Sequence, residues 1–199
     1  MEAVVPATAL VPGGQAGVDP DFRLGLRPVT NAEYAPFVAA GRAVAPPWWR
    51  DPAFSAPGQP VVGVTWFEAC DFAAWLSERT GERFRLPSEA EWERAACGGL
   101  VDPATAWGDT LPPGEVPEGL LAGPWAVGRG TPNRFGLFDM GTIVHEWCLD
   151  WHDPDLQTRR ASRGGSWRHH VRWSRPAARS SLPPSFRYSD YGFRVLQEV

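Results

Sequence analysis

"RLPSEAEWERAACGG" (Arg85–Gly99) marks a helix at both ends. Ser88 stands three residues before Glu91, so its hydroxyl can accept from an early backbone N–H while the glutamate reaches back to the cap. Pro87 precedes the cap and Gly98–Gly99 closes the helix. The same signature occurs twice upstream, as "TNAE" from Thr30 and "TWFE" from Thr65. The helix after Thr65, "WFEACDFAAWLSERTG", carries apolar residues on more than one face and stops at Gly81, which predicts a well-buried element. The helix after Thr30 contains Pro36 and ends near Gly41, so it should be short or bent.

Beyond these helices the signals are shorter. "PVVGVTW" (60–66) and "YGFRVL" (191–196) are strand-like. The stretch from Leu100 to about Thr131, rich in Gly and Pro, reads as an ordered loop pinned by Trp107 and Trp125. Neither an internal repeat nor a second compositional zone is visible, so one domain over residues 1–199 is expected.

Composition narrows the classes. The chain has 11 Trp with 21 Gly and 21 Pro, which points to long irregular loops held by buried indoles. Every one of its 19 basic residues is arginine. A net charge of -4 offers no general attraction to nucleic acid or to an anionic membrane. No apolar run is long enough to span a bilayer, and the N-terminus lacks the pattern of a signal peptide. Cys70, Cys97 and Cys148 are scattered, which argues for a reducing compartment, so a cytoplasmic location is expected.

Five stretches carry a resemblance: "RPVTNAEYAPFV", the run from Gln59 to Gly99, "NRFGLFDM…HEW", "RGGSW" and "DYGFRVL", in this order over nearly all of residues 25–197. Together they resemble the formylglycine-generating enzyme (sulfatase-modifying factor) family, a variant of the C-type lectin fold. The resemblance implies a loop-rich α+β domain with two or three helices and short strands. Arg163, Gly164, Gly165, Ser166 and Arg194 look like fold signature rather than site.

The family oxidises a substrate cysteine with copper held by two cysteines after the RGGS motif. Counting from Arg163 puts those positions at His169 and Ser174. Without thiolates there is no soft site for Cu(I), so formylglycine generation and copper bound in that mode are not expected. A second departure is "DMGTIVHEW" (139–147), where the family's D-M-x-G-N-V-W-E-W has Trp at the position of His145. His145 and His169 thus map to the old active site, followed by His170. The resemblance also implies one structural calcium, held by the side chains of Asp139 and Glu146 and the carbonyls of Thr142 and Val144.

Two functions follow. The first is a non-catalytic recognition domain, such as a diversified variable protein or a toxin-immunity binder. It would meet another protein or a small ligand through its C-terminal loop face: His145, Arg168, His169, His170, Arg172, Trp173, Arg175, Phe186, Tyr188 and Tyr191. The alternative is a divergent metal-dependent oxidase or sulfoxide-synthase-like enzyme using His145 and His169, since imidazole suits Zn, Cu, Fe and Ni.

Overall fold

A computed structural model describes residues 4–14, 18–116, 121–169 and 174–199. All three capping boxes form. Thr30, Thr65 and Ser88 each accept from the backbone N–H three residues on, while Glu33, Glu68 and Glu91 return a carboxylate oxygen to the cap. They open α1 (Asn31–Ala39), α2 (Trp66–Thr80) and α3 (Glu89–Cys97). Helix α1 is short, with Pro36 inside it. Gly81 and Gly98 end α2 and α3 in the left-handed conformation that glycine tolerates.

Among the described residues, eight short strands form two sheets. β1 (Thr8–Val11), β2 (Phe22–Gly25), β3 (Phe84–Arg85) and β8 (Leu196–Glu198) make one, in the order β1-β2-β8-β3, all antiparallel. β4 (His145–Trp151), β5 (Arg160–Arg163), β6 (Arg179–Leu182) and β7 (Tyr191–Gly192) make the other, in the order β6-β5-β4-β7. There β4 and β7 run parallel, pairing His145 with Tyr191 and Glu146 with Gly192. This mixed α+β arrangement is the expected loop-rich fold. "YGFRVL" supplies β7 and leads into β8, as its pattern suggested. "PVVGVTW" does not form a strand: it is a buried extended loop with one isolated bridge, Thr30 to Pro60. Its amides bond instead to scattered carbonyls, Val61 to Val29 and Gly63 to Tyr188.

The core explains the aromatic load. Tyr34, Phe37, Phe72 and Phe193 pack edge-on or tilted within one cluster that joins α1 and α2 to the C-terminal strands. Trp92 of α3 is fully buried in a second cluster with Leu24, Met140 and Cys148. The Trp107 indole donates to Thr131 O, and Trp125 is buried with Phe54 and Ile143, so both expected loop pins are in place.

At the centre, the Arg194 guanidinium meets the Glu146 carboxylate through Nε (2.7 Å) and Nη2 (2.9 Å), with both side chains 0% exposed. The Trp92 indole donates to the same carboxylate at 2.7 Å, and Arg194 also reaches the carbonyls of Gly25 and Phe138. One buried pair therefore ties α3, β4 and the segment before β8 together. Arg163, also buried, pairs with Glu89 and Glu93 of α3. After it, Gly164 adopts φ 77°, and a Cβ there would lie 2.7 Å from the Gly141 Cα. The RGGS motif is thus close-packed backbone, as its reading as fold signature requires.

Candidate functional site

The parallel pairing of β4 with β7 decides what meets what. It sets His145 beside Tyr191, and the His145 amide bonds to the Asp190 carbonyl at 2.9 Å. From β5 the chain passes through Gly164 and Gly165 into a turn closed by His169 N to Ser166 O at 2.9 Å. The turn carries the His169 ring over His145. The two imidazole centroids lie 5.2 Å apart at 61°, and His169 Nε2 is 3.7 Å from Asp190 Oδ2.

These residues line an open pocket of about 520 Å³. Its floor is the buried trio His145, Asp190 and Tyr191. Its rim is the exposed set Arg159, Arg168, His169 and Tyr188, with Ser180, Ser181 and Leu182 between. The floor is held from behind. His145 Nδ1 lies 2.7 Å from the Gly164 carbonyl, Ser166 Oγ donates to Asp190 Oδ2 at 2.9 Å, and Tyr191 Oη meets Ser180 Oγ at 2.9 Å. Burial pushes the His145 pKa down; Asp190 opposes this and His169 adds to it. His145 is therefore neutral at pH 7. A carbonyl only accepts, so Nδ1 carries the proton and Nε2 keeps its lone pair. Burial also raises the Tyr191 phenol above its usual range, so it stays protonated. At the rim, Arg159 spends Nε and Nη2 on Ser181.

The structure gathers His145, Arg168, His169, Tyr188 and Tyr191 of the expected site into this pocket. Phe186 stacks on Tyr188 (6.5 Å, 24°) on the exposed surface beside it. Arg175 is exposed on a separate turn and does not line the pocket. His170, Arg172 and Trp173 lie outside the described residues. Ser174, placed at the pocket by ungapped counting, is instead buried against Gly141 and Gly165. The sequence reading missed Asp190, Arg159, Ser180 and Ser181. Asp190 had a local signal, because it stands directly before the "YGFRVL" strand that carries Tyr191.

None of the three cysteines takes over the missing thiolate role. All are free, and none lines the pocket. Burial pushes the Cys70 thiol up to about 12 and raises Cys97 and Cys148 as well, so none is a thiolate at neutral pH.

The four-residue calcium set does not fit as a whole. Both Glu146 oxygens are taken by Arg194 and Trp92, so Glu146 acts as a buried counter-ion rather than a free ligand. Asp139 differs: Oδ2 accepts from Gly128 N at 2.6 Å, while the buried Oδ1 has no partner. Burial raises the Asp139 pKa, with the Gly128 bond opposing. Thr142 and Val144 are buried on the same loop.

The fold and site define a C-type lectin-like α+β domain with a polar, cysteine-free pocket at the turn after its RGGS motif. The chain belongs to the sulfatase-modifying factor enzyme 1-like domain family, which matches residues 4–199. It is similar to the formylglycine-generating enzyme of Streptomyces coelicolor, at 30% identity over 89% of this chain and 78% of that protein. Among solved structures, PvdO from Pseudomonas aeruginosa matches 98% of this chain and 93% of its own, with TM-score 0.76 at 26% identity. The Treponema denticola variable protein 1 shares the fold, with TM-score 0.76 at 23% identity over 100% of this chain and 94% of that one.

Proposed function

We propose that this protein is a recognition domain on the formylglycine-generating enzyme scaffold, working without the family's cysteine oxidation. The observation that carries the reading is the pocket itself. It stays open at about 520 Å³, yet the ring of His145 and the turn bearing His169 occupy the place where the resemblance puts a tryptophan and a cysteine. A rim of Arg159, Arg168 and Tyr188 over a floor of imidazole and phenol suits a small ligand, or a partner's side chain, that carries a carboxylate or phosphate. Arg168 is the rim cation turned to solvent, and Tyr188 offers a flat face at low conformational cost.

Thermal shift and calorimetry with citrate, phosphate and acidic peptides test this. An anion that binds the folded state should raise Tm, and above its Kd the rise should follow the logarithm of its concentration. The rise should vanish in the double variant Arg168→Ala/Tyr188→Ala, whose unliganded stability should move by only about 0.5 kcal/mol per exposed site. Anion binding that survives in the double variant would place recognition elsewhere.

A further inference from the structure

We infer that the floor of this pocket is a binding site for one divalent transition-metal ion, with His145, His169 and Asp190 as its protein ligands. Their ligand atoms all lie within 4.8 Å of one another, and among the described residues no other group of three His, Cys, Asp or Glu is so gathered. The inference builds on the same pocket as the recognition reading and adds to it the ion that would help hold the ligand.

Three features beyond proximity support the site. The first is the behind-the-ring contact of His145. Nδ1 is committed to the Gly164 carbonyl at 2.7 Å, which directs Nε2 to the pocket side. Metal-bound imidazoles are oriented in this way by a carbonyl or carboxylate on the other nitrogen. The second is the support of Asp190. It is 5% exposed, it takes a hydrogen bond from Ser166 Oγ at 2.9 Å, and its own carbonyl is fixed by the His145 amide. His145 and Asp190 are therefore mutually positioned by backbone pairing between β4 and the segment entering β7. The third is the one ligand left free to adjust. The His169 side chain is 45% exposed and sits on a turn rather than in a strand.

That freedom is needed. Bonds of about 2.0–2.2 Å to a common ion set its donors at most about 4.3 Å apart. The 4.8 Å spread is wider than that, so binding draws the three donors together, and His169, exposed and on a turn, is the ligand with room to move. Two imidazoles and one carboxylate select a borderline first-row ion of the Fe, Co, Ni or Zn class over Ca²⁺ or Mg²⁺, which prefer all-oxygen shells. Two protein ligands on the floor and one on the rim leave coordination positions facing the cavity, between Arg168 and Tyr188. A carboxylate or phosphate entering there would meet the ion and the arginine together.

The test uses the full chain purified without an affinity tag, stripped of metal and titrated with Co²⁺ and, separately, Zn²⁺. Calorimetry should give one equivalent of each, and bound Co²⁺ should show the visible absorption of a low-symmetry site. His145→Gln and Asp190→Asn should abolish the stoichiometric binding. His169→Ala, an exposed change that leaves the fold intact, should weaken it at least tenfold. Binding that is absent in the native protein, or unchanged in His169→Ala and Asp190→Asn, would overturn the site. The anion titrations, run on metal-free protein, separate the two readings. Anion binding that depends on Arg168 without any Co²⁺ or Zn²⁺ uptake sinks the metal site alone. Stoichiometric metal with no anion response supports the metal site and sinks the recognition reading.

Discussion

Glu146→Gln isolates the buried ion pair that the architecture hangs on. The wild-type carboxylate is 0% exposed and takes three donors: Arg194 Nε, Arg194 Nη2 and the Trp92 indole. Glutamine keeps the volume and one acceptor oxygen, so packing changes little. Arg194 keeps its bonds to the carbonyls of Gly25 and Phe138 but loses the anion it is paired with. Stripping one partner from a buried pair costs about 3–5 kcal/mol, because the remaining charge stays desolvated. For a chain of this length each kcal/mol moves Tm by about 2–4 °C, so the variant should melt roughly 6–20 °C below wild type. Arg194→Met in the Glu146→Gln background removes the stranded charge and should recover part of the loss. Near-UV circular dichroism during a thermal melt reads both. A Glu146→Gln melt within 2 °C of wild type would refute the assignment of Glu146 as the counter-ion of Arg194.

Other expectations follow from the same structure. Added Ca²⁺ should leave the Tm of metal-stripped protein unchanged, because Glu146 is already engaged; a rise in Tm that Asp139→Ala removes would restore calcium to this loop. Asp139 has its pKa raised by burial, so the folded state holds its proton more tightly than the unfolded chain. Its contribution to stability must then decline as pH rises from the ordinary Asp range through the higher folded value. Asp139→Asn, which can still accept from Gly128 N, should flatten that decline and melt no lower than wild type at pH 7. Ser88→Ala removes one acceptor of the third capping box and should cost about 1 kcal/mol in a urea melt, while Ser88→Gly costs only a few tenths.

The helices were legible because their signals are local. A hydroxyl and a glutamate three residues apart make a capping box whatever the rest of the chain does, and all three formed where the sequence put them. The strands were not, because they are short and their register is set at long range. β5 is "RASR" and β6 is "RSSL", polar runs that become strands only by pairing with each other and with β4. "PVVGVTW" looked like a strand since Val61, Val62 and Val64 are buried, but burial there comes from neighbours on several sides rather than from one sheet. The site was half legible. Replacement of motif residues pointed to His145 and His169. Asp190 was marked locally by its place before "YGFRVL", but its meeting with His145 depends on a parallel pairing between residues 145 and 191, which is set at long range.

The central claim is that this family member binds in its pocket without oxidising cysteine, and one measurement meets it head-on. The purified protein is incubated in air, with copper and a reductant, with a peptide carrying the cysteine sulfatase motif, and the peptide is read by mass spectrometry. With His169 at one mapped thiolate position, and Ser174 at the other buried away from the pocket, the peptide should return unchanged. Appearance of the formylglycine aldehyde would contradict the account.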